Sequence, residues 1–242
     1  MDRNRTLLRP MAVGLILCAA TFAFLELADE VREVETQRLD EGVLRSLRTP
    51  ADPAVPIGPS WLVPASRDLT SLGSLAVLLL VVLAVAGFLA LARLWRHLAL
   101  VAGATFGGLL LIPVLKSAFD RPRPTVVPAL TLETTASFPS GHAMMSAVTY
   151  PTLGTLLAQL CPRWRERVYV VTVAAVVAVI IGLTRLYLGV HYPSDVLAGW
   201  SMGLAWALVS GLAARERRSR SRELRTEAPS AEGADRRAPG SS

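Results

Sequence analysis

The stretch from Leu69 to Ala92, LTSLGSLAVLLLVVLAVAGFLALA, carries no ionisable side chain and is long enough, as a helix, to cross roughly 30 Å of hydrocarbon. A soluble domain could hold such a run only in a fully enclosed core, and this chain repeats it. Comparable apolar segments lie near 10–28, 98–116, 141–160, 168–188 and 195–213. Whole-chain composition agrees, with 52% of 242 residues hydrophobic and a mean hydropathy of +0.44. That leaves too little polar surface for a soluble domain of this size. The expected fold is all-α, an integral membrane bundle of six transmembrane helices forming one domain over residues 1–213.

Arg3, Arg5 and Arg9 precede the first apolar run, as in a secretory leader, but that run has nearly full spanning length and ends without a small-x-small cleavage site. It reads as the first span. Cys18 and Cys161 show neither a pairing pattern nor metal-ligand spacing. The formal charge of +6 would point to nucleic acid in a soluble protein; here the surplus sits in connections and in the tail, so no nucleic-acid partner is expected. Basic residues cluster at the amino terminus, at Arg93 and Arg96, in PRWRER (162–167) and in RERRSRSRELR (215–225). The positive-inside rule makes that side cytoplasmic, with both termini on it. The other side then carries the long connection 29–68, the segment after Lys116 and the turn GVHYPSD (189–195).

In 29–68, acids (Asp29, Glu30, Glu33, Glu35, Asp40, Glu41) mixed with apolar residues predict a short surface helix, and the prolines of TPADPAVPIGPSWLVP predict an irregular stretch after it. Residues 214–242 are almost devoid of apolar side chains and are expected to form a disordered basic cytoplasmic tail attracted to anionic lipid.

Ionisable side chains at membrane depth are costly enough to mark function. By the topology above, Lys116, Arg121, Arg123, His142, Arg185 and His191 all fall at the outer face. Lys116 is the only lysine in the chain, a compact point charge among arginines. In FPSGHAMMS (138–146), Ser140 reads as a helix N-cap, Pro139 fixes the entry and Gly141 admits close backbone approach. The free N–H groups of that helix start can cradle an anion, with His142 in the first turn. In TRLYLGVHYPSD (184–195), Asp195 lies four residues beyond His191. A carboxylate accepting from one ring nitrogen leaves the other free as a nucleophile or base. Two histidines, a carboxylate, a lysine, arginines and amides at one face suit a phosphoryl group: cations and N–H groups hold its equatorial oxygens, one histidine attacks, and the other protonates the departing oxygen. Asp120, Glu133 and Asp195 are too few acids for a metal site, so metal-independent chemistry without a cofactor is expected.

In order along the chain, Lys116, Arg123 and Pro124, then Pro139, Ser140, Gly141 and His142, then Arg185, His191 and Asp195 resemble the three signatures of the type 2 phosphatidate phosphatase superfamily of membrane lipid phosphatases, which shares its site with vanadium haloperoxidases. Thr184 stands where serine is usual, and the hydroxyl is kept. The resemblance implies a lipid phosphate substrate, His191 as nucleophile forming a phosphohistidine, Asp195 orienting it and His142 as general acid. It also implies phosphate binding by Lys116, Arg123 and Arg185 with the Ser140 and Gly141 amides. Arg121 lies outside the signatures and is expected at the surface or on a headgroup; His97, in a cytoplasmic connection, is assigned no role. Undecaprenyl diphosphate, phosphatidate, phosphatidylglycerol phosphate and diacylglycerol diphosphate all fit signatures that read only phosphate, and an outward-facing site favours the first. A lipid phosphotransferase, or a transporter that binds phospholipid without turning it over, are the competing readings.

Overall fold

The computed structural model describes residues 2–227, with side chains described over 11–216, and is mostly helical. Helix α1 (Asp2–Arg32) leads into a segment at one end of the bundle: α2 (Gln37–Ser46), strands β1 (Arg48–Thr49) and β2 (Asp52–Pro56), and α3 (Leu62–Ser71). Then come α4 (Leu75–Leu91), α5 (Trp95–Phe119), α6 (Gly141–Ala158), α7 (Trp164–Tyr187) and α8 (Pro193–Glu227). Alternation of direction puts the ends of α5 and α7 and the starts of α6 and α8 at the same end as α2 and α3.

Among the described residues, four helices are long and apolar enough to cross a membrane: α1 over Met11–Arg32, α5, α7, and α8 over Pro193–Glu216. The pair α3 and α4, bent by 44°, makes a fifth if taken as one span. At most 28% of each single-helix window is buried within the chain, and side chains such as Leu80, Phe88, Leu110 and Tyr169 face outward. Only a hydrocarbon solvent satisfies that surface. The chain is an integral membrane protein.

Three expectations are revised. The run 69–92 is not one helix, because the Ser74 hydroxyl accepts from Val77 N–H at 3.4 Å and starts α4 afresh. The segment 141–160 forms α6 but ends two residues early, at Ala158; it packs against α5, α7 and α8, and its hydroxyls bond backward to its own carbonyls, as Thr152 does to Val148 at 2.6 Å. An enclosed helix needs small and hydroxyl-bearing residues rather than a lipid-facing coat. Third, α8 runs on to Glu227, past the expected boundary at 213. Ala, Arg and Glu extend a helix already nucleated at little cost. Residues 228–242 of the expected tail lie outside the described residues.

The connection 29–68 holds its surface helix as α2, but the proline-rich stretch forms the antiparallel β1–β2 ribbon and the start of α3. Pro64 sits in the first turn of α3, where its missing N–H removes no helix bond.

Helices α6 and α8 approach closely at Gly203, where a Cβ would overlap the Met144 carbonyl oxygen and lie 2.8 Å from Ala147 Cβ. Backbone cannot yield as a flexible side chain can. Gly203→Ala should therefore destabilise by about 1–3 kcal/mol from overpacking, against the roughly 1 kcal/mol that alanine gains in a helix. A lowered midpoint of thermal unfolding in detergent checks this; an unchanged or raised midpoint would refute it.

Candidate active site

Helix α5 ends at Asp120, which takes a left-handed conformation (φ 41°) and donates its N–H back to Lys116 O. The chain then continues through Arg-Pro-Arg-Pro, and residues before proline are extended. Arg121 and Arg123 take different partners from this segment, Arg121 the acids Asp40 and Asp195 and Arg123 the Thr135–His191 side. Arg123 donates to Thr135 O at 2.7 Å and to Val190 O at 2.8 Å, and its Nη1 lies 3.4 Å from His191 Nε2. Lys116 Nζ bonds Thr135 Oγ1 at 2.8 Å and Ala136 O at 2.6 Å. Arg185, at the end of α7 and 1% exposed, donates to Thr70 Oγ1 at 3.0 Å and to Glu133. Glu133 also lies 3.7 Å from Arg123. Burial alone would raise the Glu133 carboxyl, but Arg185 and Arg123 hold it below the usual range. The structure thus gathers the three predicted phosphate-binding cations around residues 133–136.

His191 occupies the turn before α8 and is 1% exposed. Its Nδ1 lies 3.5 Å from Asp195 Oδ2 and 3.4 Å from Ser137 Oγ, while Nε2 faces Arg123. The carboxylate side calls for a proton on Nδ1, which leaves the Nε2 lone pair directed at the cations. Asp195 is the third residue of α8 and accepts from the Tyr192 N–H at 2.8 Å, so the carboxylate that meets the histidine also caps its own helix. Ser137 Oγ donates to the same oxygen at 2.5 Å.

Phe138, fully buried, stacks between Phe24 of α1 and Phe119 of α5 and so anchors the turn that starts α6. Ser140 is the N-cap as expected, its hydroxyl accepting from Ala143 N–H at 3.5 Å. Its amide departs from expectation. Ser140 N–H donates to the Asp195 carbonyl at 2.9 Å, so it serves the α6–α8 joint and not an anion. The N–H groups of Gly141 and His142 remain the available donors of that first turn. His142 passes beside Gly73, where a Cβ would come within 3.3 Å of its ring and 2.5 Å of Ile181. Glycine at the α3–α4 break is what admits the imidazole there.

Arg121 is the second correction. It is neither a surface nor a headgroup residue: its side chain is 11% exposed and bridges Asp195 at 2.6 Å and Asp40 at 2.8 Å. Sequence reading missed Ser137, Asp40, Ser194 and Thr135 as members of this network. For Ser137, its place three residues before Ser140 was a usable cue; for Asp40, far away in sequence on a polar helix, there was none. His97 lies away from this end, near Arg96 and Gln159.

Residues 76–219, which contain all three signatures, match the PAP2 superfamily. The chain belongs to the PAP2 superfamily. Phosphatidylglycerophosphatase B of Bacillus subtilis is 36% identical to it over 203 residues, covering 81% of this chain and 94% of that protein. An undecaprenyl-diphosphatase of Sulfolobus acidocaldarius is 38% identical over 86 residues, 34% of this chain and 37% of that protein. The crystal structure of a transmembrane PAP2 type phosphatidylglycerolphosphate phosphatase from Bacillus subtilis superposes with a TM-score of 0.74 at 30% identity, over 83% of this chain and 96% of that one. This PAP2 protein is accordingly a lipid phosphatase.

Burial pushes the His191 imidazole down to about 4, against the upward pull of Asp195. A base depressed in this way stays neutral in the folded protein well below the free-histidine value of about 6.5, so the folded state binds fewer protons than the unfolded chain and loses stability as pH falls through that window. Nitrogen-15 NMR of labelled histidine, assigned with His191→Ala, should show the His191 ring titrating toward 4; titration at the free value would contradict the burial argument.

Proposed function

We propose that this PAP2 phosphatase hydrolyses a terminal phosphate monoester of a membrane lipid through a phosphohistidine on His191, with no metal ion. The carrying observation is the polarity of His191, its Nδ1 side on Asp195 and Ser137 and its Nε2 beside Arg123.

In the first step the Nε2 lone pair attacks phosphorus, a P–N bond forms, and the P–O bond to the lipid breaks. The departing oxygen takes its proton from His142. A water then attacks the phosphohistidine with His142 as base, and phosphate leaves with His191 restored. Lys116, Arg123 and Arg185, with the Gly141 and His142 amides, hold the equatorial oxygens. Arg185 Nε is buried and unpaired among the described residues, a donor suited to a phosphate oxygen. The cationic side chains supply the charge a metal would otherwise bring to phosphoryl transfer.

With α6 and the bent α3–α4 pair counted as spans, the chain crosses six times. Both termini then lie with Arg93, Arg96 and Arg163 on the cytoplasmic side, and the site faces outward. Similarity over nearly the whole length of a protein named phosphatidylglycerophosphatase B makes phosphatidylglycerol phosphate the favoured substrate, ahead of the undecaprenyl diphosphate that the sequence favoured.

Phosphate release by detergent-purified protein in EDTA tests this on both lipids. The parent should release phosphate, faster from phosphatidylglycerol phosphate, and vanadate should block it. His191→Ala should be slower by roughly a thousandfold or more. Loss of activity in EDTA that Mg²⁺ restores, or a fully active His191→Ala, would overturn the mechanism; faster release from undecaprenyl diphosphate would reverse the substrate order.

A further inference from the structure

Asp40 is 2% exposed on a helix whose neighbouring polar residues are solvated: Gln37 and Arg45 bond Glu41 at the surface. A buried acid on such a helix is the informative one. Its Oδ1 accepts from Ser194 N–H at 3.0 Å and its Oδ2 from Ser194 Oγ at 2.5 Å, so a residue of α2 satisfies a first-turn amide of α8. One turn on, fully buried Leu44 packs with Val127 and Tyr192. Helix α2 is thus docked on the start of α8 by one polar and one apolar side chain.

Arg121 completes the junction. Its Nη1 donates to Asp195 Oδ1 at 2.6 Å and to Ser194 Oγ at 2.8 Å, its Nη2 donates to Asp40 Oδ2 at 2.8 Å, and its guanidinium lies 4.2 Å above the Tyr192 ring. Burial works against this charge, and the two carboxylates outweigh burial. With its terminal nitrogens engaged by protein acceptors, Arg121 is not placed to hold a phosphate. Asp195 for its part keeps Oδ2 for Ser137, Tyr192 and His191 because Oδ1 is taken by Arg121.

We infer that Arg121 and Asp40 are a positioning pair for the proposed reaction, by which α2 fixes the carboxylate that aims His191. This rests on His191 being the nucleophile. Without Arg121, two carboxylates are buried with too few donors, and Asp195 turns away from its place. Without Asp40, the guanidinium is free to swing and the start of α8 loses its acceptor. Each loss moves the imidazole relative to phosphorus without touching the phosphate cradle, so the effect belongs to kcat and not to KM.

The test uses full-length protein in detergent, comparing Arg121→Gln, Arg121→Lys, Asp40→Asn and the Asp40→Asn/Arg121→Gln double variant for turnover of phosphatidylglycerol phosphate, vanadate inhibition and thermal unfolding. Arg121→Gln should lower kcat by about 100-fold, the scale of a small misplacement at a reacting centre, with KM and the vanadate constant unchanged. Arg121→Lys, which keeps the charge but can reach only one carboxylate, should recover part of that loss. Asp40→Asn should shift kcat in the same direction, and the double variant should be no slower than Arg121→Gln alone. A raised KM and weakened vanadate inhibition at unchanged kcat would make Arg121 a phosphate ligand and overturn the proposal, as would fully additive losses in kcat. Should the parent turn over no lipid phosphate, the phosphatase mechanism fails on its own account. The pair is then judged by unfolding midpoints: a double variant losing less than the sum of the singles upholds the junction, and additive shifts overturn it.

Discussion

Asp195 is a carboxylate with no exposed surface, and an isolated buried charge is among the least tolerable features of a folded chain. Its donors come from separate places: Ser137 from the segment before α6, Tyr192 from the turn before α8, and Arg121 from beyond the end of α5. The backbone carbonyl of the same residue accepts from Ser140 N–H, so the starts of α6 and α8 are joined at this point as well. Asp40, on α2, pairs with the Arg121 that pairs with Asp195. Satisfying one carboxylate therefore fixes how four parts of the chain meet, and the imidazole of His191 takes its direction from the result.

The remaining charges are divided between two sets of partners around the Arg-Pro-Arg-Pro segment. Arg121 bonds the two buried acids, and Arg123 lies beside His191. Arg123 and Arg185 share one carboxylate, Glu133, which bonds Arg185 and lies 3.7 Å from Arg123, while Lys116 bonds Thr135 and Ala136. The His191 Nε2 side consequently carries an excess of positive charge, while the Nδ1 side carries an acid. That polarity is what the proposed attack by a neutral imidazole on an anionic phosphate ester requires, since a negative setting would repel the substrate.

How far the sequence was readable follows the length scale of each interaction. Lys116, Arg123, His142, Arg185, His191 and Asp195 were legible because each sits at a helix end or turn beside others of its kind, and spacing carries such information. The apolar helices were legible from run length; α6 is rich in small residues and hydroxyls because it is enclosed by α5, α7 and α8. The break at Ser74 was hidden by the apolar residues on both sides of it. The Ser140 amide could not be assigned, because its acceptor is a backbone carbonyl of α8. Asp40 looked like one solvated acid among several, and only the packing of α2 against α8 separates it from Glu41.

The match to the family begins at residue 76, yet the site does not. Thr70 of α3 bonds Arg185, Arg67 bonds the Leu130 carbonyl at 2.7 Å, Arg48 bonds the Tyr187 carbonyl at 3.1 Å, and Asp40 holds Ser194 and Arg121. The segment from α2 to α3 is thus tied at four places to the end of the bundle that carries the candidate site, although no signature residue belongs to it. Signatures that read a phosphate treat every lipid phosphate alike. Discrimination between lipids has to come from surfaces that meet the rest of the molecule, and α2 to α3, like the end of α1, lines this end of the bundle outside the matched stretch. Tying that segment to Asp195 through Asp40 and Arg121 couples the placement of α2 to that of His191.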